Sequence, residues 1–248
     1  WIGINANTEA TLDRAMRISQ TPYWENHANA EMLSVIASYH KQEENYDKAA
    51  KIIRKSLEYK EYNRYYYALA EINMRKGNIE EAVELYEYLI DRDFKKKTIT
   101  NYLTSFFTQR KNYSRAKKYI KIQVNENPQN RDALYNLGLT YFHLNKTDSA
   151  IYWLDSLLKI YPKDANALEL IGQIQLKHEN YEKASNTYGR LVDLLPKYRN
   201  YYYNLALCYL NTNKLIKADS VIDLARSRNL SFQGYRAIEE EIQRRRAF

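Results

Sequence analysis

The sequence predicts an all-α fold in which helical hairpins stack into a solenoid, and three observations carry that reading. One alanine recurs at Ala49, Ala82, Ala116, Ala150, Ala184 and Ala218, at spacings of 33, 34, 34, 34 and 34. Twelve residues before each stands a small residue or Thr (Ala37, Ala70, Thr104, Gly138, Gly172, Ala206), itself preceded by Ile or Leu. The 248 residues include only 6 Gly and 4 Pro, too few for the closely spaced turns of a β-rich chain. A fixed period of this length marks a repeat architecture, in which each unit buries its apolar face against the next.

The elements follow in chain order. Residues 1–29 form a lead-in: Ala15, inside TLDRAMRIS, stands 34 before Ala49 and reads as the second helix of a partial repeat. Six units of about 34 residues follow, at 30–62, 63–96, 97–130, 131–164, 165–198 and 199–232. The fourth shows the pattern best. Leu134, Leu137, Gly138 and Tyr141 fall at i, i+3, i+4 and i+7, one face of a helix. The polar break Asn145-Lys146-Thr147 follows, with Thr147 or Asp148 as the candidate cap of a second helix. Ala150, Ile151, Leu154, Leu157 and Leu158 form its apolar stripe, and Pro162 ends it, because proline has no N–H to continue the ladder. Gly138 and Ala150 leave room for close approach where the two helices cross. Residues 233–248 form a C-terminal capping helix with a charged outer face.

This pattern resembles the tetratricopeptide repeat, a 34-residue helix–turn–helix unit, over about residues 30 to 232. The resemblance implies a right-handed superhelix, and a bacterial source is expected. Departures concentrate in three repeats: His40 and Asn73 replace a favoured aromatic, and Thr100, Thr104 and Gln123 fill core slots of the third repeat.

Most chemistry-bearing residues have a packing role in such a frame. Many of the 25 Tyr occupy repeat slots, among them Tyr46, Tyr113 and Tyr181 at the hairpin turns and Tyr86, Tyr141, Tyr188 and Tyr209 in the core. Cys208, the single cysteine, excludes an intrachain disulfide and reads as a buried, inert thiol. His27, His40, His143 and His178 are scattered, so no metal site is expected. No phosphate-loop, dinucleotide, serine-elbow, zinc-protease or calcium-loop motif occurs, and no carboxylate pair is set apart for acid–base work. The expectation is a non-enzyme without catalytic residues or cofactor. Asn112, Asn145 and Asn229 head Asn-x-Ser/Thr triplets, a number that chance supplies in a chain of this composition. No apolar run approaches the ~18 residues that span a bilayer. Compartment, cytoplasmic or periplasmic, is left open.

Charge is distributed unevenly. Of the net +8, the third repeat alone carries +6. Its candidate anion-binding residues are Lys111, Arg115, Lys118 and Lys121, although a solvated outer helix face is the favoured account of them. Nucleic acid is not an expected partner, since no stacking platform or groove-reading helix is evident.

The resemblance implies that the first helix of each repeat lines a concave groove. The residues it points to are Tyr67, Tyr135, Asn136, Leu139, Phe142, Leu176, Tyr203, Asn204, Leu207 and Leu210. Leu139, Phe142, Leu176, Leu207 and Leu210 do not need to be apolar to hold the stack, so an exposed apolar strip is expected there, suited to a peptide or partner helix. Cover by the capping helix or a sister chain is the competing account. The lysine–asparagine clamp for chaperone tails is missing: its slot pairs are Ser34/Ser38, Tyr67/Glu71, Asn101/Ser105 and Tyr135/Leu139. The expected function is a protein-interaction scaffold. The alternative is the soluble tail of a membrane protein such as an O-antigen ligase-like glycan polymerase, for which Trp1-Ile2-Gly3-Ile4 reads as an internal junction.

Overall fold

The computed structural model describes residues 26–230 and 233–247; the half repeat expected around Ala15 lies outside them. The described residues form thirteen helices: α1 (Asn26–Gln42), α2 (Tyr46–Tyr59), α3 (Asn63–Lys76), α4 (Ile79–Asp91), α5 (Lys96–Gln109), α6 (Tyr113–Glu126), α7 (Arg131–His143), α8 (Thr147–Ile160), α9 (Ala165–Lys177), α10 (Tyr181–Leu194), α11 (Arg199–Asn211), α12 (Leu215–Ser227) and α13 (Gln233–Arg246). They belong to two compact units, divided inside α5 between Ile99 and Thr100.

Each hairpin turn closes in the same way. Glu44, Gly77, Lys111, Asn145, Glu179 and Asn213 all take a left-handed backbone, with φ between 55° and 85°. The next amide then reaches back five residues to a helix carbonyl: Asn78 to Asn73 and Lys146 to Tyr141 at 2.9 Å, Asn112 to Phe107 at 2.8 Å. Together with the shorter bonds, such as Gly77 to Met74 at 3.3 Å, this satisfies the orphan carbonyls that end a helix. Only Gly77 meets that conformation without a Cβ penalty. Thr147 and Asp148 do not cap α8. Lys146 occupies the cap position without a side-chain bond, and Thr147 Oγ1 lies 3.1 Å from His178 Nε2 instead. Before α7 and α9 a side chain does cap: Asn130 accepts from the Ala133 amide (3.1 Å) and Asp164 from that of Ala167 (2.9 Å). Tyr62 and Tyr198 hold the same position before α3 and α11 without a side-chain bond.

In the first unit, α1, α2, α3 and α4 pack in sequence. Its core joins Leu33, Ile36, Ala37, Ala49, Ile53, Tyr65, Leu69 and Ile72. In the second unit, α6 to α13 pack consecutively, with α7 also touching α9 and α13 touching both α11 and α12. A continuous core there runs from Leu168 through Tyr188, Tyr202 and Cys208 to Tyr235, Ile238 and Ile242. The small residues sit at the helix crossings. A Cβ placed on Gly138 would lie 2.7 Å from Leu154 Cγ, and one on Gly172 2.9 Å from the Tyr188 ring.

Candidate functional site

In the second unit, the residues expected to line a groove come from the first helices of three hairpins. On α7, Leu134, Leu137, Gly138 and Tyr141 turn into the core, which leaves Tyr135, Asn136, Leu139 and Phe142 on the flank, each half-buried. α9 contributes half-buried Glu169 and Leu176 with exposed Gln173, and α11 contributes half-buried Tyr203, Asn204 and Leu207. Lys177 Nζ stands 5.6 Å from the centroid of Phe142.

Polar ties hold these helices in register. Arg131 Nε on α7 pairs with buried Asp164 at 2.6 Å, while the same carboxylate caps α9. Tyr201 on α11 donates to Glu169 Oε2 on α9 at 2.9 Å. Tyr235 on α13 donates to the Arg199 carbonyl at 2.9 Å. Burial, and then the bond to Glu169, push the Tyr201 phenol up to about 12. Burial also raises Tyr135, helped by the charges of Glu169 and Asp164 and opposed by that of Arg131.

Leu210 departs from the expectation. It is 5% exposed, inside the core that α13 completes with Tyr235, Ile238 and Ile242. Arg245 Nη1 donates to its carbonyl at 2.9 Å, and Tyr235 stands 6.5 Å from the Tyr203 ring. The capping helix therefore covers the C-terminal end of the strip. The surviving strip, Tyr135, Leu139, Phe142, Leu176, Tyr203 and Leu207, is partly rather than openly exposed. Half of the widely exposed large apolar side chains among the described residues lie on second helices, Tyr152 and Ile160 on α8 and Ile216 and Leu224 on α12. Tyr67 belongs to the first unit, where it packs on Tyr86 and Phe94 with Lys95 Nζ 4.1 Å above its ring.

Two further features bear on chemistry. A polar cleft of about 880 Å³ lies beside the turns of α7–α8 and α9–α10, lined by Thr147, Asp148, Asp155, His178 and Lys183 over an aliphatic floor of Ile171 and Ile174. Its residues come from two repeats and share no sequence motif, so sequence reasoning did not single it out. Among the described residues, no group of three or more His, Cys, Asp or Glu could hold a metal ion. Cys208 is fully buried, and its thiol is pushed up to about 12 by burial. In the basic repeat, Lys111 sits in the left-handed turn position, and Lys121 is exposed on α6. Arg115 and Lys118 lie against the Phe107 and Tyr119 rings and have further partners within the chain.

Comparison with known proteins gives consistent matches. A tetratricopeptide repeat model fits residues 35–93 and 170–218, and a model of the anaphase-promoting complex (cyclosome) subunit 3 fits residues 109–191. The protein O-mannosyl-transferase Tmtc3 of Drosophila melanogaster is 23% identical over 142 residues, 57% of this chain and 15% of the relative. The Homo sapiens protein O-mannosyl-transferase TMTC3 is 31% identical over 104 residues, 42% of this chain and 11% of the relative. This chain thus spans a small fraction of the curated relatives it matches. Among solved structures, the C-terminal part of a TPR repeat-containing protein from Cytophaga hutchinsonii superposes with a TM-score of 0.59 at 16% identity, covering 94% of both chains. YrrB, described as a TPR protein with an unusual peptide-binding site, gives 0.54 at 18% identity, covering 77% of this chain and 99% of its own.

Proposed function

Since the chain is a tetratricopeptide repeat protein, we propose that it works as a non-catalytic protein-interaction scaffold whose concave face on α7, α9 and α11 takes a peptide or a helix. One observation carries this reading. Tyr135, Leu139, Phe142, Leu176, Tyr203 and Leu207 are each half-buried and keep apolar surface in contact with water, although Leu176, Tyr203 and Leu207 also pack on the core. Burying such a strip against a partner gains roughly 25 cal/mol per Å² before ordering costs. Asn136 and Asn204 flank it and offer amide donors and acceptors to a peptide backbone.

The test is an unbiased pull-down with the wild-type chain beside the triple variant Tyr135→Ala, Phe142→Ala, Leu207→Ala, with helicity verified by circular dichroism. Loss of a specific partner from a folded variant supports the groove; an unchanged partner set sinks it.

A second reading is favoured by the match to the O-mannosyl-transferases, whose length this chain covers only in small part. Here the repeats are the soluble tail of a larger membrane protein, such as an O-antigen ligase-like glycan polymerase, and position partners for chemistry elsewhere. No described helix is long and apolar enough to cross a membrane. Fractionation of the full-length gene product discriminates: retention in alkali-washed membranes supports the tail, and recovery in the soluble fraction removes it.

A further inference from the structure

From residue 94 to residue 125 the sequence holds nine Lys and Arg and not one Asp or Glu, and the rest of the chain is one charge negative. The whole positive excess therefore belongs to α5, α6 and their flanks. Elsewhere, several cations are tied to a carboxylate of the next hairpin or its cap: Lys41 to Glu71 (3.0 Å), Arg54 to Glu81 (2.6 Å), Arg131 to Asp164 (2.6 Å). Four cations of α6 and the turn before it have no such tie. The Arg110 guanidinium carbon stands 3.8 Å over the Phe106 ring centroid, and Lys117 Nζ 5.7 Å from that of Tyr141. Lys111 projects from the turn, and Lys121 follows Lys117 one helical turn later. From residue 111 to residue 121 the strip runs about 15 Å, at ~1.5 Å per helical residue.

We propose that this strip is a docking surface for a short, extended acidic segment of a protein partner, with Arg110, Lys111, Lys117 and Lys121 reading Asp or Glu side chains. An extended chain advances ~3.3 Å per residue, so about five residues span the four cations. Three features favour a polypeptide over nucleic acid or lipid. The rings of Phe106, Phe107, Tyr119 and Tyr141 already carry the chain's own cations, so they are not free platforms for bases. Among the described residues of this strip, only Tyr102 is a widely exposed large apolar side chain, which is too little to enter a bilayer. Three of the four cations are Lys and Arg110 is held on a ring, which suits scattered carboxylates better than the bidentate grip a phosphate diester attracts. The strip lies on α6 and the turn before it, whereas the peptide face proposed above lies on α7, α9 and α11.

Fluorescence anisotropy with a labelled hexaglutamate peptide, a hexauridylate and vesicles containing phosphatidylserine tests this directly. The peptide is expected to bind, to weaken with added salt, and to lose about two- to fivefold affinity for each of Lys111→Gln, Lys117→Gln and Lys121→Gln. The combined charge reversal should abolish binding, whereas Lys159→Glu with Lys163→Glu should leave it unchanged. The Gln variants keep the test decisive if the reversal perturbs folding. Absence of peptide binding, indifference to these substitutions, or tighter binding of the oligonucleotide or vesicles through the same lysines each overturns the proposal.

Discussion

The hairpins α5–α6 and α7–α8 solve one packing problem with opposite chemistry. In α7–α8 the helices cross over Gly138, with Leu154 so close that a Cβ would stand 2.7 Å from its Cγ, and Leu157 is fully buried beside it. In α5–α6 the same two slots hold Thr104 and Gln123, and Gln123 Nε2 donates to Thr104 Oγ1 at 3.0 Å. Neither residue fits the repeat pattern alone, yet together they restore a satisfied contact. A second case supports the rule: Gln175 on α9 stands in a slot that α7 and α11 fill with Tyr141 and Tyr209, and Thr187 on α10 donates to it at 2.8 Å. In these two cases the polar departures are tolerated as pairs, because a buried donor or acceptor is costly only when left unmade. Asn73 of the first unit, fully buried with no hydrogen-bond partner for either side-chain amide atom, does not follow that pairing.

The largest expected effect comes from moving half of one solution into the other. Gly138→Thr places a Cβ against Leu154 at a distance no relaxed contact allows. Overpacking costs ~1–3 kcal/mol, against a few tenths of a kcal/mol regained in helix propensity. A net loss of about 2 kcal/mol is expected, read as lost hydrogen-exchange protection localised to α7 and α8. Exchange that stays native there would show that the crossing has slack, and the contrast between the hairpins would lose its basis.

Next in size is the pair itself. Thr104→Val keeps the volume and removes the acceptor for Gln123, so a loss of about 1–2 kcal/mol is expected. Gln123→Leu imports the residue of α8 and should cost less, since a threonine hydroxyl can turn to the carbonyl four residues back in its own helix. In a double-mutant cycle by urea unfolding, the two should couple by roughly 1 kcal/mol. Additivity within error would mean that the bond contributes nothing.

At neutral pH the phenols and thiol around α9 to α11 are silent, and a third effect appears only in alkali. Tyr201 and Cys208 both titrate near 12 in the folded chain, mainly through burial. A raised folded pKa means that the unfolded chain releases its proton first. Their contribution is therefore complete below about pH 9, where an unfolded thiol titrates, and disappears as pH rises toward 12. The second unit should lose stability over that window, and Cys208→Ser with Tyr201→Phe should flatten the profile. A Cys208 that reacts with a thiol reagent in the folded state at pH 8 would contradict its burial.

The period, the hairpins and the close approach at Gly138 were legible because a 34-residue spacing of small residues admits few other readings. The turn chemistry was not. Glu44, Lys111 and Glu179 adopt a conformation usually assigned to Gly or Asn, and nothing local in their side chains announces it. Leu210 was misread because its cover, α13, begins 23 residues later at Gln233, and amphipathic spacing does not report what packs on an outward face. Thr104 and Gln123 looked like two flaws in a weak repeat, since a bond across 19 residues shows only when the helices are side by side. The half-buried residues of α7, α9 and α11 could be listed slot by slot, while their degree of exposure depended on neighbouring helices.

The smallest expected effect separates glycines that a crossing requires from one that it does not. Gly189, in the middle of α10, has nothing within 4 Å of an added Cβ, whereas Gly172 faces the Tyr188 ring at 2.9 Å. Gly189→Ala should therefore stabilise the second unit by about 0.5–1 kcal/mol, the helix-propensity gain with no contact to oppose it. Gly172→Ala has the same intrinsic gain but must displace a buried ring, so its sign should be reversed. Urea midpoints of the two variants test the distinction, because a propensity effect alone would move both in one direction. Opposite shifts would show that the small residue of the 34-residue repeat is kept for the approach of its partner helix, and that a glycine elsewhere on these helices carries no such requirement.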